Sequence, residues 1–219
     1  MIRPHDHDQD ATADEILDLV EAIEPQDEEA PKVEIVLCSQ TSPELALGVM
    51  RGRLDMAFLR AETQTVGVSF KFLAKEPLIA VLPADHRLTS NKTIRPEELA
   101  REAFISSARS SPVLRGVVED YATKVGIALK HEYEAENLPA AMSLVASTGG
   151  ITLLPLYAQN MLTPNVVARA LEGTPPTIDL TLGYNESNAL PLLRRFLART
   201  DELVGCVQNQ SIIRYAGAL

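Results

Sequence analysis

The polar run after VEIVLC is the first segment with residues suited to binding chemistry. Thr41 and Ser42 precede Pro43, and Ser42 fits the N-cap of a helix whose first residue is Pro43. Backbone N–H groups at a helix start, together with two hydroxyls, favour an anion such as a carboxylate. The same residues also fit an ordinary N-cap that binds nothing.

Arg60 is the second candidate, because it directly follows the apolar run LDMAFL. A guanidinium just past a buried strand can form a bidentate pair with a ligand carboxylate. The alternative is an ion pair with the nearby Glu62, which the spacing alone favours.

Two further polar segments end predicted strands or begin predicted helices. Ser106 and Ser107 close the run AFISS, and Arg109 follows them. The segment Glu136-Asn137-Leu138-Pro139 leads into an apolar helix and has the capping pattern expected at Ser42. If these groups converge, two helix N-termini, an arginine and several hydroxyls form a site for a small anion.

The sequence favours binding over catalysis. The motifs GxSxG, HExxH, GxxxxGK[ST] and GxGxxG do not occur. His131 has no evident Ser or Cys partner, and no cofactor or metal is predicted, although His5 and His7 could hold a weakly bound metal ion. The two cysteines, Cys38 and Cys206, lie far apart and outside any zinc-ligand spacing, so ordinary thiols are expected.

Composition indicates an ordinary globular protein. The chain has 219 residues, of which 46% are hydrophobic and 23% charged. No apolar run is long enough to span a membrane, and the N-terminal residues lack the apolar region of a secretory signal. We therefore expect no membrane association and a cytoplasmic location.

Negative charge is concentrated at the start of the chain. Residues 1–30 hold eleven acidic residues and one basic residue, a net charge of −10, and the remainder is neutral with nineteen of each. Because nucleic-acid binding requires clustered Lys and Arg, we expect no direct binding of DNA. The acidic residues are interpreted as a solvated face, with a docking tail as the alternative.

Hydrophobic periodicity and Gly/Pro punctuation predict an α/β protein with at least two βαβ units. A capping box from Thr12 to Glu15 begins a short helix in the acidic head. The predicted strands are VEIVLC, LDMAFL, SFKFL, PLIAVLP, AFISS, KHEYEA, ITLLP, VVARAL and residues 177–184. The predicted helices cover residues 43–51, 96–101, 112–125, 139–148, 156–161 and 190–204. VEIVLC, the first of these helices and LDMAFL are predicted to form a βαβ unit with parallel strands.

Three stretches carry a family resemblance. PKVEIVLCSQTSPELALGVMRGRLDMAFLR, EPLIAVLPADHRL and ENLPAAMSLVASTGGITLLP resemble the effector-binding domain of LysR-type transcriptional regulators, from about residue 32 to about residue 204. The resemblance implies two Rossmann-like subdomains of the type II periplasmic-binding-protein kind. It places subdomain I at residues 32–77 and 165–219 and subdomain II at 78–164, and the acidic head at residues 1–31 precedes them.

The resemblance also implies a small anionic effector, an aromatic or dicarboxylic acid, in the cleft between the subdomains. Ser42 and Arg60 match positions that contact an effector carboxylate, and Asn137 and Leu138 match the loop of subdomain II that closes on it. The full set of predicted ligand-binding residues is Thr41, Ser42, Arg60, Ser106, Asn137, Leu138 and Pro139.

This sequence departs from the family pattern at its start. No winged helix-turn-helix or linker helix is recognisable, and the family's first strand has no counterpart before Lys32. We therefore expect a sensing module that acts through a full-length relative or is an inactive gene fragment, and the missing strand counts against the usual domain dimer, although a homodimer stays open. The alternatives are a stand-alone solute-binding protein of the same fold and an enzyme with Cys38 as nucleophile.

Overall fold

The computed structural model describes residues 36–60, 65–198 and 200. The chain divides into two compact units, residues 1–38 and 39–219, and the fold below is that of the second unit. The predicted acidic head, its short helix and residues 33–35 of VEIVLC lie outside the described residues. Residues 36–38, the described end of that predicted strand, are not in a strand and are exposed.

One long strand organises the main sheet. After helix α1 (Ser42–Met50) and strand β1 (Met56–Leu59), strand β2 runs from Ser69 to Pro83. Its first half pairs antiparallel with β8 (Thr177–Tyr184), and β8 in turn pairs antiparallel with β1. Its second half pairs antiparallel with β6 (Thr152–Pro155) on one side and β7 (Val166–Leu171) on the other. β2 therefore belongs to two groups of strands at once.

The remaining elements connect to the second half of β2. A 3-10 helix (Arg87–Ser90), strand β3 (Thr93–Ile94) and a short helix α2 (Pro96–Leu99) follow it, and β3 pairs parallel with β7. Strand β4 (Ala103–Ser107), helix α3 (Pro112–Val125) and strand β5 (Lys130–Ala135) form a βαβ unit, since β4 and β5 pair in parallel. Helix α4 (Leu138–Thr148) precedes β6, and a second 3-10 helix (Leu156–Met161) follows it.

Glycine ends the two long helices, as their sequences predict. The C-cap of α3 is Gly126 at φ 74°, and that of α4 is Gly149 at φ 79°. Both angles are in the left-handed region, which side chains with a Cβ atom rarely adopt. Residues 191–198 are also helical, and the predicted end of this helix lies outside the described residues.

Two clusters of buried apolar residues lie on different parts of this framework. The larger is built on the second half of β2 with β4, β6, α3 and α4, and includes Leu78, Ile79, Phe104 and Val145. The smaller lies between α1 and β1. No helix among the described residues is long and apolar enough to cross a membrane.

The predicted α/β class is confirmed, and two expectations about its strands are wrong. SFKFL and PLIAVLP are parts of one strand, because nothing between them forms a turn and Pro77 is accommodated opposite Thr177. LDMAFL pairs antiparallel with β8 rather than in parallel with any described strand. The subdomain boundaries stay a prediction. β7 was assigned to subdomain I, and it pairs with the second half of β2, which was assigned to subdomain II.

Candidate functional site

Helix α1 begins one residue earlier than predicted. The N-cap is Thr41, and Ser42 is the first helical residue, so the assignment of Ser42 as N-cap is wrong. The reason is Glu44, whose Oε2 atom accepts hydrogen bonds from the Thr41 backbone N–H at 3.0 Å and its hydroxyl at 2.7 Å. These bonds, first that of the Thr41 side chain, lower the pKa of Glu44 from its usual 4.5.

The hydroxyl of Ser42 is thereby available for a contact outside its helix. Its Oγ accepts a hydrogen bond from the backbone N–H of Arg60 at 3.0 Å. This bond joins the beginning of α1 to the end of β1. A hydroxyl that accepts one hydrogen bond still has its own proton to donate, so Ser42 can also bind an acceptor on a ligand.

The side chain of Arg60 lies in a mostly buried polar cluster. One Nη2 proton is donated to Oε2 of Glu76, and the exposed fractions of the two side chains are 15% and 10%. The guanidinium also lies over the ring of Tyr157, 5.7 Å from its centroid. Glu62, the alternative partner expected from spacing, lies outside the described residues.

One donor nitrogen of Arg60 has no hydrogen-bond partner among the described residues. Its Nη1 atom is buried and makes no hydrogen bond to any described residue. A buried donor without an acceptor costs about 1–3 kcal/mol, and more for a charged group. An acceptor that reached Nη1 would therefore be bound favourably, and a carboxylate matches the fork of a guanidinium best.

The segment at the start of α4 has the predicted capping geometry. Asn137 is the N-cap, and its Oδ1 accepts a hydrogen bond from the Ala140 N–H at 2.9 Å. Its Nδ2 amide is not used in this bond and can donate elsewhere. Leu138 and Pro139 are the first two residues of α4. Hydrogen bonds between described residues join Ser42 to Arg60 but neither of them to Asn137, so convergence of the two groups stays a prediction.

Ser106 is engaged by a residue that was expected to have no such partner. Its Oγ lies 2.5 Å from Nδ1 of His131, and the His131 ring makes an edge contact with Phe104. The expectation that His131 lacks a Ser partner is therefore wrong. This pair lines a small pocket together with Val118 and Glu119 of α3. The role of Ser106 as a ligand residue stays a prediction.

Two residues of the Arg60 cluster were not predicted. Glu76 and Tyr157 lie in β2 and in the second 3-10 helix, distant in sequence from Arg60. The one available signal was an acidic residue within a strand that is otherwise mostly apolar, since such a charge needs a partner when buried.

Comparison with known proteins identifies the class. Residues 17–204 match the family model of the LysR substrate binding domain, so the chain belongs to this family. The chain is 30% identical over 181 residues to the Hca operon transcriptional activator HcaR of Escherichia coli (strain K12), covering 81% of this chain and 60% of HcaR. It thus spans about three fifths of that regulator's length. The prediction that the chain is not an enzyme is confirmed, because the matched family model is that of a substrate binding domain and the relatives are transcriptional regulators.

Solved structures show the same fold. The effector-binding domain of QuiR in complex with shikimate gives a TM-score of 0.76 at 16% identity, covering 88% of this chain and 91% of that one. The effector-binding domain of BenM with its effector benzoate gives 0.73 at 17% identity, covering 87% and 86%. The fold is therefore that of LysR effector-binding domains, which is of the periplasmic-binding-protein kind.

Proposed function

We propose that this chain is the sensing domain of a LysR-type transcriptional regulator and binds a small carboxylic acid, aromatic or dicarboxylic. The observation that carries the proposal is the buried Nη1 of Arg60, which has no acceptor among the described residues. In the proposed complex the ligand carboxylate accepts from this atom. The hydroxyl of Ser42 donates a second hydrogen bond, since its oxygen is already held by the Arg60 N–H.

The remaining predicted residues complete the ligand site in this proposal. The Asn137 amide, with Leu138 and Pro139 at the start of α4, approaches the ligand from subdomain II. Thr41 lies next to Ser42 at the start of α1, and Ser106 ends β4. The ligand then lies in the cleft between subdomains I (residues 32–77 and 165–219) and II (residues 78–164), and closure of this cleft shifts the population between two states.

The ligands of the structural neighbours support this chemistry. Shikimate, bound by the QuiR domain, and benzoate, the effector of the BenM domain, are both cyclic monocarboxylates. The regulatory partner in this proposal is a second copy of the chain or a full-length relative, in the cytoplasm.

A thermal-shift titration tests the proposal. The purified chain is titrated with benzoate, salicylate, muconate and a phosphate control, because a ligand that binds only the folded state raises the melting temperature. Arg60→Lys retains a cation for Glu76 but lacks the second guanidinium nitrogen, so we expect at least about tenfold weaker binding of the best acid, or about 1.4 kcal/mol.

Arg95→Lys is the matched control. The Arg95 side chain is 59% exposed and pairs with Glu98, so this variant should bind the acids as the wild type does. A cooperative melt that no acid shifts would contradict the proposed function. If the wild type and Arg60→Lys bind the best acid with equal affinity, Arg60 is not part of the ligand site.

A further inference from the structure

A cavity of about 470 Å³ is lined by residues that the proposed ligand site does not use. They lie in and around α2 and directly after β7, and include Arg95, Glu97, Arg101 and Glu172. Small-molecule sites commonly have volumes of about 300–1,000 Å³. The cavity is therefore large enough for a small ligand, and its charged lining requires that the ligand be polar.

The cavity lies at the carboxyl ends of two parallel strands. β3 pairs parallel with β7, and Ile94 is the register partner of Leu171. The residues that directly follow these two, Arg95 and Glu172, both line the cavity. Ligands of open α/β sheets bind outside the carboxyl ends of the strands, so the cavity has the position expected of a binding site.

One ion pair of the cavity is already formed within the chain. Oε2 of Glu98 accepts a hydrogen bond from the backbone N–H of Arg95 at 2.9 Å, and its Oε1 lies 3.6 Å from Nη2 of Arg95. Nδ2 of Asn91 also donates to this Oε1, at 3.4 Å. Glu98 and Arg95 thus offset each other's charge, and both oxygens of Glu98 are engaged.

Three other charged side chains of the cavity have no such partners. Arg101, Glu97 and Glu172 are exposed, and their side chains make no hydrogen bond or ion pair with any residue that the structure describes. The cavity therefore presents one cation and two carboxylates. A guanidinium binds a carboxylate through paired hydrogen bonds, and a carboxylate accepts hydrogen bonds from an ammonium group. The matching ligand carries one carboxylate and two ammonium groups.

We infer that this cavity binds an α-amino acid with a basic side chain, of which lysine is the simplest probe. The α-carboxylate pairs with Arg101, and the two ammonium groups pair with Glu97 and Glu172. Exposed ion pairs are individually weak, so we expect a dissociation constant in the millimolar range. The site goes beyond the proposed function, because it uses neither Arg60 nor Ser42.

The place of the cavity gives such binding a consequence for the fold. Glu172 and Gly173 begin the connection from β7, which pairs with the second half of β2, to β8, which pairs with the first half. A ligand held by Glu172 is therefore bound where the chain passes from one group of strands to the other.

An NMR titration with three related molecules tests the inference. Lysine, norleucine and cadaverine are added in turn, and the backbone amide signal of Gly173, which lines the cavity, reports occupancy. Norleucine lacks the side-chain ammonium of lysine, and cadaverine lacks its carboxylate. Because each molecule loses one exposed ion pair, each should bind at least about threefold more weakly than lysine.

Variants of the lining residues identify the site. Glu172→Gln and Arg101→Gln should each weaken lysine binding at least about threefold, since each removes one charge partner. Glu132→Gln removes an exposed acid of β5 that does not line the cavity, and should bind lysine as the wild type does. Arg60→Lys should do the same. Loss of lysine binding in Arg60→Lys would place lysine in the other site and overturn the inference.

Two results with the wild type alone would also overturn it. One is an unchanged Gly173 signal at tens of millimolar lysine, and the other is equal affinity for lysine and norleucine. Neither result bears on the titration with benzoate, salicylate and muconate, so failure of this site is distinguishable from failure of the proposed function.

Discussion

At the scale of single residues, the side chain of Ser42 holds the backbone of Arg60 in place. The Arg60 N–H follows the last residue of β1 and is bound by the Ser42 hydroxyl. Arg60 is thereby held where its guanidinium reaches Glu76 and the ring of Tyr157. This cluster is built by contacts between residues that are distant in sequence.

Removal of the Ser42 hydroxyl should lower the stability of the chain. Ser42→Ala removes the hydrogen bond from the partly buried Arg60 N–H, and the net contribution of such a bond to stability is typically about 0.5–1.5 kcal/mol. We expect the midpoint of urea unfolding to fall with an unchanged m-value. Ser187→Ala, at an exposed position, is the control and should leave the midpoint in place; an equal midpoint for Ser42→Ala would show that this bond does not contribute.

The sequence predicted the cation and the hydroxyl of this cluster but not the groups around them. Arg60 and Ser42 stand next to apolar runs, so their positions at element ends are visible in the pattern. The pairing with Glu76 depends on β2 being one continuous strand with β8 beside it, and periodicity does not specify strand pairing. The bond between Ser106 and His131 likewise follows from the pairing of β4 with β5.

At the scale of elements, the sequence was most informative where glycine or proline ends a segment. Helix α3 has the predicted bounds, Pro112–Val125, and Gly126 follows as its C-cap. Helix α4, whose N-cap is Asn137, likewise has Gly149 as its C-cap, as expected. These residues restrict the backbone locally, whereas parallel or antiparallel pairing is decided by contacts between distant strands, which explains the wrong expectation for β1.

Gly116 within α3 and Gly126 at its C-cap should respond oppositely to alanine. Gly126 has φ 74°, and a Cβ atom in that region costs about 1–2 kcal/mol, so Gly126→Ala should lower the melting temperature. Gly116 lies within α3, and an added Cβ would meet nothing within 4 Å. Gly116→Ala should therefore raise stability by about 0.5–1 kcal/mol. Thermal melts of the two variants and the wild type give the order of their melting temperatures. A loss of stability in Gly116→Ala would contradict the finding that a Cβ atom at this position meets no neighbour within 4 Å.

At the scale of the whole molecule, β2 is the element that both groups of strands share. Leu78, where its partners change from β8 to β6 and β7, is completely buried, and its N–H bonds to the carbonyl of Pro176 at 2.8 Å. Movement of one group relative to the other would therefore involve this strand. That arrangement suits a domain whose proposed work is closure around a ligand.

Charge balance leads to the last prediction, that the 219-residue chain does not bind duplex DNA by itself. All of its excess charge is negative and lies in residues 1–30. In the described part, arginines of four different elements or turns are paired with acids, namely Arg60, Arg87, Arg95 and Arg115. Affinity for DNA comes largely from cations that displace counterions from phosphates, and paired cations contribute little to it.

A gel-shift titration at physiological salt should show free DNA at every protein concentration, beside a DNA-binding regulator as positive control. A clear shift that weakens as salt is added would refute the charge argument, because only clustered basic groups produce that dependence.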